Sequence, residues 1–362
     1  MPGAWVSVSH ANYIWETRQQ VTNHDVGEII KQIEFGKDPE AAGHPFIHAV
    51  TRAWYDAEYP NGGTGYYLAV DSANGDALWT SATRTRFTRF GAPQEGQEPL
   101  HNADFNFVVD EDDFLHVVFE ADRYEETDYH RTTGYKTNAD SELWDADEAP
   151  IFWGPSAPCI ANSPNVAVEV VGSDAYLHAV CRAEASCSVP GALYNRLDLS
   201  DDPQEWQGLA LAESTAYSSG LTGHVVVDGN GIVHVFAREA FCAGEDQQVR
   251  MVQFAGYSPE PGEWTVAHRE TLDTFDDPDN CPCDTPPTDP DCTPPAQPSG
   301  DGGDAPGLTA PGAIVGNKIY FAWRRYDSTA EEHVIAFGVL DVSASEPANW
   351  VWTPPLPLGG EE

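Results

Sequence analysis

One six-residue pattern recurs five times along the chain: an apolar residue, His or Tyr, three mostly apolar residues, then Arg or Glu. It reads Ile47-His48-Ala49-Val50-Thr51-Arg52, Leu115-His116-Val117-Val118-Phe119-Glu120 and Leu177-His178-Ala179-Val180-Cys181-Arg182. It returns as Val233-His234-Val235-Phe236-Ala237-Arg238 and as Ile319-Tyr320-Phe321-Ala322-Trp323-Arg324. The His or Tyr positions lie 68, 62, 56 and 86 residues apart, and the last interval contains a Pro-, Asp- and Cys-rich insertion at 273–307. Each copy follows a β-prone run and a tight turn, clearest at Val225-Val226-Val227-Asp228-Gly229-Asn230-Gly231, where Asp-Gly and Asn-Gly steps supply positive φ. A third β-prone run comes after it (Tyr66–Val70, Val249–Phe254, Val334–Leu340), and then a turn delivers Trp79, Trp144, Trp206, Trp264 or Trp350 at the head of a fourth strand.

Four antiparallel strands per repeat, in about five repeats, predict an all-β chain that forms a single β-propeller over 1–362. One blade has two apolar faces that only neighbouring blades can cover, so the copies must stack. Apolar residues alternate with period two, which excludes helical solenoids and leaves a β-sandwich as the competing architecture. The segment Trp5-Val6-Ser7-Val8 resembles the fourth strand that starts at Trp264, so residues 5–35 are expected to close the C-terminal blade and lead into the first. Tyr13–Thr17 leaves room for a partial sixth blade.

The chain carries 58 acidic against 18 basic residues, a net charge of −40. Such a surface repels phosphate backbones and anionic lipid, which argues against nucleic-acid and membrane partners. A salt-adapted source and a secreted, Ca²⁺-rich setting explain the excess equally well. No apolar run approaches the ~20 residues of a membrane-spanning helix. The seven cysteines cluster, with Cys281, Cys283 and Cys292 in the insertion and Cys181 six residues before Cys187, as disulfide-bonded loops do. Secretion is therefore expected, with the export signal lying outside this sequence.

The Trp turns resemble the Asp-box of sialidase-like (BNR) propellers, Ser-x-Asp-x-Gly-x-Thr-Trp. Ser72-Ala73-Asn74-Gly75-Asp76-Ala77-Leu78-Trp79 keeps the Ser and the Trp; Leu199-Ser200-Asp201-Asp202-Pro203-Gln204-Glu205-Trp206 keeps the Asp and the Trp. The resemblance implies a structural hairpin on the outer rim, and it says little about activity. The arginine triad and Tyr/Glu pair of sialidases do not map here, nor do the three carboxylates of arabinanase-type glycosidases. In the insertion, Asp277-Pro278-Asp279-Asn280-Cys281-Pro282 resembles one step of a thrombospondin type 3 calcium repeat. That implies Ca²⁺ held by Asp277, Asp279, Asn280, Asp284, Asp289 and Asp291, against the simpler reading of an ion-free acidic loop.

Three other groups are candidates. The histidines at 48, 116, 178 and 234 occupy one position in different blades; packed sheets lie about 10 Å apart and Zn–N bonds are about 2.0–2.1 Å long, so they cannot share an ion. They are expected to be half-buried and bonded to the adjacent blade. Arg52, Arg182, Arg238 and Arg324 stand four residues later on the same strand face, either as a cationic ring for an anionic glycan or, the favoured reading, as inter-blade pairs with carboxylates. Segments leading into the innermost strands offer His101, Asn102, Asp104, Asn162, Asn165, Thr222 and His224, types that suit sugar hydroxyls or acid/base work and that turns also favour.

These features predict an extracellular, non-catalytic module that recognises glycan or protein through one propeller face, with Ca²⁺ as a candidate stabiliser. The alternative is a glycoside hydrolase or lyase of the sialidase-like group acting on a polysaccharide.

Overall fold

A computed structural model describes residues 5–6, 19–20, 28–37, 47–53, 64–70, 85–88, 102–125, 128–140, 144, 161–171, 174–183, 191–200, 206–210, 223–243, 246–257, 268–276, 310–327, 329 and 332–357. They are almost wholly β, and none of their helices is long and apolar enough to cross a membrane. They fall into two compact units, Met1–Phe152 and Trp153–Glu362.

The first unit opens with a short ribbon in which β1 (Trp5–Val6) pairs antiparallel with β2 (Gln19–Gln20). Two blades follow. The first contains β3 (Glu28–Phe35), β4 (Ile47–Ala53), β5 (Thr64–Val70) and β6 (Thr85–Arg86). The second contains β7 (Asn102–Val109), β8 (Leu115–Glu125) and β9 (Asp128–Thr137). The second unit holds three four-stranded blades. They are β10 (Ala161–Val171) to β13 (Gln207–Ala210), through β11 (Asp174–Ala183) and β12 (Gly191–Asp198); β14 (Gly223–Val227) to β17 (His268–Asp276), through β15 (Ile232–Ala243) and β16 (Asp246–Tyr257); and β18 (Ala310–Val315) to β21 (Val351–Pro357), through β19 (Lys318–Asp327) and β20 (Glu332–Asp341).

In every blade the strand order follows the chain, each strand pairing antiparallel with the next, which is the β-propeller blade. All five copies of the six-residue pattern lie on second strands: β4, β8, β11, β15 and β19. The alternation in those copies builds the core. Val225, Val235 and Phe254 pack with Val180 and Tyr194 of the blade before; Val226, Phe236 and Ala255, their sequence neighbours, pack with Ile319, Phe321 and Trp323 of the blade after. In the first unit Val50 and Phe87 of one blade meet Phe105, Phe107, Val117 and Phe119 of the next. Apolar burial thus sits between blades.

Among the described residues Trp5 and Val6 pair with Gln20 and Gln19, and β21 supplies the fourth strand of the last blade. Trp206 and Trp350 directly precede β13 and β21 as expected; Trp144 is buried in the core as Trp350 is, and the second blade is three-stranded among the described residues, which do not include those that follow Trp144. One boundary needs correction. Residues 273–276, assigned by sequence to the insertion, are the end of β17, paired through Asp276 with Gln248. Trp79, Trp264, Tyr13–Thr17 and the rest of the insertion lie outside the described residues.

Candidate functional site: the first strands of the blades

Four of the five first strands carry a register shift near their leading end: between Ile30 and Gln32 in β3, Ala103 and Asn106 in β7, Asn162 and Asn165 in β10, and Ala310 and Ala313 in β18. In β7 the pair Asp104-Phe105 faces the single residue Phe119; in β10 Ser163-Pro164 faces Cys181. Only β14 runs in unbroken register. Such bulges break the ladder, bend the strand and re-aim side chains. Of the sequence candidates, Asn102 and Asn162 lie in the paired stretch before the bulge, opposite Ala121 and Arg182, and Asp104 lies within one. The side chains of these three lie outside the described residues, as do His101 and Thr222 altogether.

Opposite the second residue after the repeat's His stand Gln32, Asn106 and Asn165, each just beyond its register shift, and His224 in the unbroken β14. A first strand bonds a neighbour on one edge only, so its other N–H and C=O groups need partners. Gln32 supplies both for the next blade: its Nε2 donates to Phe107 O (2.7 Å) and its Oε1 accepts from Phe107 N (2.8 Å). Asn165 Oδ1 accepts from Val225 N at 3.0 Å in the same way. Asn165 and His224, expected at a ligand-binding mouth, are 5% and 8% exposed. Asn165 is therefore a stitch between blades.

The four repeat histidines are buried, not half-buried; three are held by hydrogen bonds at both ring nitrogens and His48 at Nδ1 alone. His178 Nε2 meets Glu169 Oε2 at 3.0 Å, His116 Nε2 meets Asp110 Oδ2 at 2.9 Å, and His234 Nε2 meets Asp228 Oδ2 at 3.3 Å. These carboxylates belong to the same blade as their histidine. Only His48 looks across to its neighbour, where Asp113 Oδ1 lies 3.6 Å away. A carboxylate only accepts, so Nε2 carries the proton and Nδ1 of the neutral ring accepts. The hydroxyls of Tyr67 (3.1 Å), Tyr135 (2.8 Å) and Tyr194 (2.6 Å) donate to it in turn. In the fourth blade Gln253 Nε2 replaces the phenol, 2.9 Å from His234 Nδ1. The fifth blade drops the polar set, and Tyr320 stacks on Phe337 instead.

Electrostatics agree with this arrangement. Burial holds His178 and His48 below the usual histidine range despite Glu169 and Asp113 beside them. Burial pushes the Tyr135 and Tyr194 phenols up, so they keep the proton they donate. Burial would raise Asp110 and Asp228, but hydrogen bonds from His116 and His234 and from turn N–H groups outweigh it and hold both below the usual carboxylate range. Asp228 Oδ1 accepts from Asn230 N (2.8 Å) and Ile232 N (3.0 Å), and Asp110 Oδ1 from Asp112 N (3.0 Å) and Phe114 N (2.8 Å), so one carboxylate shapes each hairpin and orients its imidazole. Trp residues of the next blade cover these sets: Trp144 packs edge-on to Tyr67, and Trp350 lies 5.0 Å from the His234 ring.

Arg52 is 2% exposed, which suits packing between blades rather than a ligand-facing ring. Arg182, Arg238 and Arg324 occupy the matching strand positions, opposite Ala192, Met251 and Ile335; their side chains lie outside the described residues. Asp277, Asp279, Asn280, Asp284, Asp289 and Asp291 lie outside them entirely, and no metal-binding group of His, Cys, Asp or Glu occurs among the described residues. Cys181 is buried in β11; the side chains of the other six cysteines are not among those described. At the root of the insertion Asp273 Oδ2 accepts from Trp323 Nε1 (3.1 Å) and lies 3.6 Å from Arg325.

Gln32, the tyrosines and Gln253 were not singled out from sequence. A signal for the last four was present: Tyr67, Tyr135 and Gln253 each follow their histidine by 19 residues, and Tyr194 by 16. Gln32 had none, because its partner Phe107 lies 75 residues away.

No family model and no curated protein matches the sequence. Among solved structures, the chain is similar to an exo-1,5-α-L-arabinanase from a bovine ruminal metagenomic library, at 10% identity over 86% of this chain and 93% of that one, TM-score 0.37. It is similar to a B. megaterium levansucrase mutant at 8% identity over 97% and 88%, TM-score 0.39. It is also similar to the polysaccharide lyase Uly1 at 11% identity over 92% and 69%, TM-score 0.39. Likeness at these levels carries no argument about activity.

Proposed function

We propose that this protein is a carbohydrate-recognising β-propeller that binds a polysaccharide at the leading ends of its first strands, around Asn102, Asp104 and Asn162. The observation that carries this reading is the division of roles along those strands. Beyond the shift, Gln32 and Asn165 are committed to the backbone of the next blade. Around it, a bulge frees the chain from regular pleat beside amides and a carboxylate, the groups that pair with sugar hydroxyls.

A second reading, cleavage of the bound glycan by hydrolysis or elimination, is favoured by Asp104: a carboxylate within the β7 bulge is the first requirement of acid/base cleavage. The sialidase-like resemblance of the Trp turns fits either reading. Ca²⁺ bound by Asp277, Asp279, Asn280, Asp284, Asp289 and Asp291, and export from the cell, complete the proposal.

A polysaccharide array, run with and without Ca²⁺ and followed by reducing-end and unsaturated-product assays on every hit, tests both readings. Binding without product supports the module; product formation that Asp104→Asn abolishes supports the enzyme; no hit on any glycan removes both.

A further inference from the structure

Each polar set places a carboxylate beside its histidine, and the first blade has none of its own to offer there. Asp110, Glu169 and Asp228 directly follow Val109, Val168 and Val227, which pair with the residue just before each histidine. In the first blade the matching pair is Phe35 with Ile47, and the next residue is Gly36. The second blade fills that place: Asp113 Oδ1 accepts from Lys37 N at 2.6 Å and lies 3.6 Å from His48 Nε2. Asp113 is buried, with φ of 62°, in the left-handed region that disfavours a side chain. Its counterpart three residues after Asp228 is Gly231, with φ of 74°, and a Cβ there would stand 2.9 Å from Glu169 Oε1. The two seams are reciprocal solutions of one problem: Glu169 with Gly231, or Gly36 with Asp113.

We propose that Asp113 keys the first blade to the second: it is the carboxylate of the His48 set supplied across the seam, so the first blade completes its buried polar core only when closed on β7 and β8, and opens from them as a unit. The other seam contacts run the same way. Gln32 commits both ends of its amide to Phe107, and Glu34 Oε2 accepts from Val109 N at 3.3 Å. The His116 set needs nothing in return, because Asp110, His116 and Tyr135 all belong to the second blade. Parting the seam therefore takes the carboxylate from His48 and leaves the His116 set whole. A purely local role for Asp113 predicts the opposite of a key, since glycine at a left-handed position relieves strain.

Hydrogen exchange of the whole protein, read by mass spectrometry, tests this at two levels. In the wild type, peptides of β3 and β4 should exchange together and faster than those of β8. Equal rates in β4 and β8 overturn the proposal, and that result needs no variant to fold. Asp113→Gly should speed exchange in β3 and β4 by about five- to a hundredfold, the effect of losing one buried partner, and leave β15 unchanged. Adding Gly36→Glu to Asp113→Gly rebuilds the Glu169–Gly231 arrangement and should restore most of the lost protection. Wild-type exchange in Asp113→Gly, or a double variant no better protected than Asp113→Gly, overturns the proposal.

Discussion

Tyr194→Phe deletes one hydroxyl from the interior and is the sharpest perturbation of the carboxylate–His–Tyr sets. Its phenol is 1% exposed and donates to His178 Nδ1 at 2.6 Å, while the ring packs with Val180, Val225 and Phe254. Phenylalanine keeps that packing, so the loss falls on the imidazole, whose Nδ1 is left buried without a donor. An orphaned buried acceptor costs about 1–3 kcal/mol, whereas replacing all partners by apolar groups of similar shape is close to neutral. The fifth blade fills the same strand positions without the polar set: Val315, Tyr320 and Phe337 stand where Glu169, His178 and Tyr194 do. The triple variant Glu169→Val, His178→Tyr, Tyr194→Phe should therefore lie nearer the wild type than Tyr194→Phe does. Urea unfolding at pH 7.5, followed by Trp fluorescence, measures both. The reasoning is refuted if Tyr194→Phe stays within about 0.5 kcal/mol of wild type, the range of neutral surface changes, or if the triple variant is the less stable of the two.

Other outcomes follow from the same geometry. His48 and His178 have depressed folded pKa values, so their contribution is complete above the unfolded value of about 6.5 and is lost as pH falls below it. Glu34, raised to about 7, works in the opposite sense between the ordinary carboxyl value of 4.5 and that pH, so the histidine effect should show most clearly as a falling Tm from pH 6.5 to 5 in Glu34→Gln. Gly338→Ala should cost about 1–3 kcal/mol by overpacking, since a Cβ there collides with the Trp352 ring; an unchanged Tm would show that the ring yields. With a net charge of −40, Tm should rise as NaCl is raised from 10 to 150 mM, where the Debye length shrinks to about 8 Å. If the insertion holds Ca²⁺, millimolar CaCl₂ should raise Tm beyond the effect of matched ionic strength, and calorimetry without heat would remove that proposal.

The blade repeat was legible because period-two alternation and hairpin turns are local, and all five copies of the pattern occupy second strands. What joins the blades was not. Gln32 and Phe107, or Asn165 and Val225, are brought together by stacking, and nothing near Asn165 in sequence distinguishes a stitch from a sugar ligand. The separate-blade placement of the histidines was legible in the repeat, but their burial depends on partners one strand away. The pattern around Trp5 marked a strand but not its partner, Gln19–Gln20, which lies 13 or more residues along the chain.

Calorimetric titration of whichever glycan the array identifies measures the functional split along the first strands most directly. Asn102→Ala and Asn162→Ala should weaken binding at least tenfold with Tm unchanged, while Asn165→Ala should lower Tm and leave the affinity of the folded protein intact. Wild-type affinity in both leading-end variants, or loss of binding in Asn165→Ala at a temperature where it is fully folded, would contradict it.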